Sequence, residues 1–177
     1  LLAQPDRVRS ATMGCATPLG MDMSGRDESG PSLPGVAPEL LALWEEMGEE
    51  RDYEDELDWR VRHWRLLNGD VLPFDPDEFR AMEARVIAHA GTHRNAAAHA
   101  RADPVGLDRG EELSRVAVPS LVLEGPEDPV APPPRGARLA ERLARARHLR
   151  ISGMGHALST PVLAPLAAAI REHADTA

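Results

Sequence analysis

The sequence predicts an α/β fold, with parallel strands, covering helices and a helical insertion between two of the strands. Three observations point there. A compact apolar run at residues 118–123 is cut off by Gly125 and Pro126, as a buried strand is. Helical, strand-like and again helical patterns follow it to the end of the chain, the alternation of a parallel sheet with right-handed crossovers. Ahead of it, residues 20–113 hold stretches with apolar side chains at helical spacing.

Taken in order, residues 8–17 are rich in small and β-favouring side chains, follow the turn-like "QPDR" and stop at Pro18, so they read as the first strand. Gly, Ser, Pro and Asp then crowd residues 20–38, a surface excursion. Pro38 opens a helix on "PELLALWEEMGEE", where Leu40, Leu43, Trp44 and Met47 share a face. A second helix runs through "YEDELDWRVRHWRLLNG" with Leu57, Val61, Trp64 and Leu67 as its stripe and Asn68-Gly69 as its stop. The third has Asp75 as cap, Pro76 in the first turn and Glu78 at the capping-box position. Its expected face is Phe79, Met82, Val86 and Ala90, before Gly91. "HRNAAAHARA" adds a short fourth helix.

After the buried strand, "PPPRGARLAERLARAR" supplies a helix with Leu139 and Leu143 one turn apart, and "HLRIS" a further strand. The closing helix, "STPVLAPLAAAIREH", takes Ser159 or Thr160 as cap and Val162, Leu166 and Ile170 as its stripe. The chain thus divides into a core strand (1–19), a helical insertion (20–113) and a C-terminal core (114–177), with no internal repeat.

Charge and composition exclude several functions. Twenty basic against 29 acidic side chains leave a formal charge of -9, which repels a phosphate backbone or an anionic membrane surface, so neither nucleic acid nor membrane is an expected partner. Cys15 is the single cysteine, which rules out an internal disulfide or thiolate cluster, and it reads as a small buried apolar side chain. No apolar run approaches the roughly 18–20 residues of a membrane span, and no leader pattern is present, so the expected location is the cytoplasm. Leu1 is not an initiator methionine, and the opening residues resemble a helix end, so sequence upstream is expected.

Working residues of parallel sheets gather beyond the carboxyl ends of the strands. Asp128 follows one strand in "EGPEDPVAP", and His156 follows the next in "SGMGHAL". Neighbouring strands would bring the two loops together, so that the carboxylate orients the imidazole and stabilises its protonated form. Glu127 is adjacent, but Asp128 is preferred because it immediately precedes Pro129. Trp44, Trp59 and Trp64, with Phe79 and Met82, either line an apolar substrate pocket or simply pack helix against helix. His63, His89, His93 and His99 form no tight ligand pattern, so no metal is expected.

"VPSLVLEGPEDPVAPP" followed by "HLRISGMGHAL" resembles the last third of an α/β-hydrolase, and "PDRVRSATMGCATP" resembles that family's sixth strand. "WRLLNGDVLPFDPDEFRAMEARVIAHAG" with "ISGMGHAL" is similar to the esterases of aromatic polyketide tailoring, of the aclacinomycin methylesterase type. The resemblance implies that the insertion is a lid and that Asp128 and His156 are the acid and base of a triad; Trp44, Trp64 and Phe79 are the candidates for lining a substrate pocket from the lid side. The implied substrate is a small hydrophobic ester, such as a methyl ester on an aromatic polyketide, with no cofactor. The departure is the nucleophile: Ser10, Ser24, Ser29, Ser32, Ser114, Ser120, Ser152 and Ser159 all lack the G-x-S-x-G elbow. By family order that elbow and the oxyanion donors lie before Leu1. Epoxide, lactone, carbon-halogen or haloperoxidase chemistry on the same scaffold stays open as an alternative, as does a non-catalytic truncated or binding protein. Oligomeric state is left open.

Overall fold

The computed structural model of the chain describes residues 1–27, 30–94, 106 and 109–177. Its sheet has three parallel strands, β1 (Ala11–Gly14), β2 (Ser120–Glu124) and β3 (Ala146–Arg150), in that spatial order. Ala11 pairs with Ser120, which pairs in turn with Ala146, so the three carboxyl ends lie side by side. β1 is shorter than the expected residues 8–17. Cys15 takes a left-handed backbone conformation, φ 51°, and turns the chain out of the ladder, although its N–H still donates to Leu123 O at 3.0 Å. β3 starts two residues earlier than "HLRIS" predicts.

All five residues of β2 are buried. The strand's two-residue period sends Val122 to one face, where it meets Leu139 and Leu143 on and beside α4 (Arg135–Arg142). Leu121 and Leu123 go to the other face, against Val162 and Ala169 of α5 (Thr160–Thr176) together with Ile151 and Met154. Burial of a leucine such as Leu121, fully excluded from solvent, contributes roughly 1.5–3 kcal/mol. Helices therefore cover both faces of the central strand, as the alternation of patterns requires.

Between β1 and β2 the chain forms α1 (Pro38–Glu45), α2 (Tyr53–Asn68) and α3 (Pro76–Ala90). Asp52 caps α2 by accepting from Asp55 N, and Asp75 caps α3 by accepting from Asp77 N and Glu78 N. Glu78 is not turned back on its own cap: its carboxylate accepts from the Thr160 hydroxyl at 2.7 Å, which ties α3 to the start of α5. Val36, Leu40, Leu67 and Phe79 form the core of this layer, and Ala157, beside His156, packs into it. Among the described residues no helix is long and apolar enough to cross a membrane. The expected fourth helix on "HRNAAAHARA" lies almost wholly outside the described residues.

Three helix faces differ from the apolar stripes. In α2 the buried apolar residues are Leu57, Trp59 and Leu67, with Val61 and Trp64 half-buried. α3 buries Phe79, Glu83 and Ile87 and leaves Val86 48% exposed, because the inward row contains a carboxylate that hydropathy assigns to solvent. α5 buries Val162, Ala169 and His173 while Ile170 is 39% exposed, a row in which small and polar residues fit closest to the sheet.

Candidate active site

The loop after β2 carries Asp128. Its N–H donates to Gly125 O at 3.2 Å, closing a tight turn. Its Oδ1 then accepts from Val130 N at 2.8 Å and Ala131 N at 2.9 Å, so the acid's position is set by its own loop. Asp128 is 2% exposed. Burial alone would raise its pKa, but the hydrogen bond and charge of His156, with the two backbone donors, outweigh burial and hold the carboxyl below the ordinary range.

The loop after β3 carries His156, and its glycines explain the spacing around Met154. Gly153 has φ +70°, in the region that disfavours side chains. A Cβ on Gly155 would stand 2.3 Å from Leu67 O, so only glycine lets this loop lie against the end of α2. The contact has a purpose: Leu67 O accepts from His156 N at 2.7 Å and from Ala157 N at 3.1 Å. Met154 is buried beneath the loop and anchors it to the sheet.

So held, His156 Nδ1 lies 3.0 Å from both oxygens of Asp128. An ionised carboxylate only accepts, so Nδ1 carries the proton and Nε2 of the neutral ring keeps its lone pair. The imidazole is 32% exposed while the carboxylate side chain is fully covered. This arrangement can take a proton at Nε2 and stabilise the resulting imidazolium with a buried negative charge. The two loops that sequence spacing pointed to are thus in contact.

Cys15 is the neighbour that sequence reasoning missed. Its Sγ donates to Gly155 O at 3.5 Å, and burial first, then the charge of Asp128, push the thiol's pKa up. Ligand atoms of Cys15, Asp128 and His156 all lie within 4.8 Å of one another, so these three are the described residues that could together enclose a cation. A lone cysteine carries no sequence signal for this; pairing of β1 with β2 brings it there.

The aromatic candidates separate. Phe79 is 3% exposed and stacks between Trp64, at 5.1 Å, and Phe74, at 5.1 Å, inside the helical layer. Trp44 and Trp64 instead wall a recess of about 240 Å³ with Trp59 and His63. A larger recess of about 580 Å³ lies between α1 and α2 and includes neither Asp128 nor His156 in its lining. His89 is exposed on α3, and His93 Nε2 lies 3.2 Å from Arg51 O; His99 is outside the described residues.

The family described as "TAP-like protein" matches residues 86–173. The rhodomycin D methylesterase DnrP of Streptomyces peucetius is 38% identical over 180 residues, which cover 97% of this chain and 60% of that protein. The rhodomycin D methylesterase DauP of Streptomyces sp. (strain C5) is 46% identical over 120 residues, 68% of this chain and 40% of that protein. Among solved structures, an alpha/beta fold family hydrolase from Bacillus anthracis str. Sterne superposes with a TM-score of 0.63 at 12% identity, covering 99% of this chain and 61% of that one. The chain therefore spans less than two thirds of the length of each of these relatives.

Proposed function

From a chain that belongs to the α/β-hydrolase superfamily, in its methylesterase-like C-terminal part, we propose an ester-hydrolysing function in which His156 is the general base and Asp128 its orienting acid. The observation that carries the proposal is the 3.0 Å contact of His156 Nδ1 with a buried carboxylate, which leaves Nε2 for the reaction. In this reading a serine hydroxyl gives its proton to Nε2 as its oxygen attacks the ester carbonyl. The same proton then passes from Nε2 to the leaving alkoxide, which departs as the alcohol, and a water repeats the sequence to free the acid. None of this chain's serines stands in a Gly-x-Ser-x-Gly elbow, so the nucleophile and the oxyanion donors are assigned to a segment other than the one described.

The substrate proposed is a methyl ester on an aromatic polyketide, drawn from the two relatives named as rhodomycin D methylesterases. Residues 20–113 are proposed as the lid over it, supported by the bond from His156 N to Leu67 O at 2.7 Å, which joins the catalytic loop to α2. The test is ester turnover by a protein that contains this chain. His156→Ala is expected to lower kcat by roughly ten-thousandfold or more, with the fold kept. Hydrolysis at the wild-type rate in that variant would overturn the assignment.

A further inference from the structure

The recess of about 240 Å³ in the helical layer has an unusual polar content. Its walls are the rings of Trp44, Trp59, Trp64 and His63, with Met47, Arg60 and Glu83. Glu83 is already engaged, accepting from Trp64 Nε1 at 2.7 Å and from Arg60 Nη1 at 2.8 Å. His63 is half engaged. Its Nε2 lies 3.0 Å from Trp44 Nε1, and an indole nitrogen only donates, so Nε2 must be the accepting, unprotonated nitrogen. Burial, against the opposing charge of Glu83, holds the pKa of this histidine below its usual value, which favours the neutral ring that the bond from Trp44 also requires. A neutral ring with a bare Nε2 carries its proton on Nδ1, which makes no hydrogen bond to another described residue. Trp59 is stacked on His63 at 5.5 Å and 28°, and its own Nε1 is buried and without a partner.

A polar donor fixed in one tautomer among aromatic faces is a device for reading an oxygen on a flat ring system. His63 also sits one helical turn before Leu67, whose carbonyl accepts from His156 N, so the recess and the catalytic loop are joined through a single turn of α2. The volume falls below the roughly 300–1,000 Å³ of sites that enclose a whole drug-sized ligand, so it suits one part of a ligand. We propose that His63 is a specificity-determining residue whose Nδ1–H donates to a carbonyl oxygen on the fused aromatic part of the ester, while Trp44 and Trp64 stack against its rings. This rests on the aromatic-ester reading above, and names the residue that would recognise such a substrate.

The test is an equilibrium titration of a protein that contains this chain, carrying His156→Ala to prevent turnover and followed by tryptophan fluorescence, with two probes of the same ring count. Methyl anthraquinone-2-carboxylate carries ring carbonyls; methyl anthracene-2-carboxylate has none. One hydrogen bond predicts that the quinone ester binds about three- to tenfold more tightly. In His63→Phe that preference falls to within about twofold, while the hydrocarbon ester keeps its affinity within about threefold. Trp44→Phe, which keeps a ring but frees the tautomer, is expected to shrink the preference as well, and serves if His63→Phe does not fold. The proposal is overturned if neither probe binds, if the protein with His63 intact shows no preference, or if a folded variant keeps the full preference. Binding is read without turnover. A failure here leaves the role of His156 in ester hydrolysis intact, and failure of that role leaves the preference measurable.

Discussion

Asp128 shows how a loop can hold a charge where burial opposes it. Its two oxygens receive two backbone N–H groups and the His156 imidazole, and this is why the carboxyl stays ionised at neutral pH. The consequence for stability has a definite sign. The folded state binds the proton more weakly than the unfolded chain, whose aspartates titrate near about pH 3.9, so the contribution is present above that value and is lost as pH falls towards the lower folded pKa. Asp128→Asn is therefore expected to be less stable at pH 7 but to show a shallower loss of urea midpoint below about pH 4. Parallel acid limbs for the two proteins would contradict this. At this scale the contact between Asp128 and His156 was legible, because strand ends followed by Asp-Pro and Gly-x-Gly-His are local patterns. Cys15 and the carbonyl of Leu67 were illegible: one reaches the site through strand pairing, the other acts through a backbone atom that any residue would supply.

Among the elements, α2 does the most positioning. One end meets the His156 loop, and its flank meets α3 through a polar network instead of a purely apolar seam. Arg60 donates to Glu56 at 2.8 Å and to Glu83 at 2.8 Å, and Trp64 donates to the other oxygen of Glu83 at 2.7 Å. Glu56, at 3% exposed, and Glu83 are both buried. Removing Glu83 leaves Trp64 Nε1 without its acceptor while Arg60 keeps Glu56, so Glu83→Ala is expected to cost about 2–3 kcal/mol in a urea unfolding experiment. A loss below about 1 kcal/mol would show that the network contributes little. The existence of α1–α3 and the ends of α3 were legible because Asp75, Pro76 and Gly91 are local signals. The inward faces were not. A stripe of apolar residues cannot register the buried carboxylate of Glu83 in α3 or the buried imidazole of His173 in α5, which is why Val86 and Ile170 were expected inside and lie outside.

Across the whole molecule, a three-stranded parallel sheet delivers two loops to one end, and a helical layer between β1 and β2 packs against them through His156 N–Leu67 O and Ala37 N–Pro129 O. Strand order makes this possible: β2 is central, so its loop adjoins that of β3 on one side and Cys15 on the other. Among the described residues β1 pairs on one side only, which leaves an edge able to take another strand. The fold class was legible because alternation of strand and helix patterns constrains topology strongly, whereas the reach of the site into the helical layer depends on contacts far apart in sequence. The account turns on one proton. Nitrogen-15 NMR of the neutral form of the His156 ring tests it most directly: the predicted result is a protonated Nδ1 and a bare Nε2, with that pattern disturbed in Asp128→Asn. A proton resident on Nε2, or a ring indifferent to the loss of the carboxylate, would contradict it.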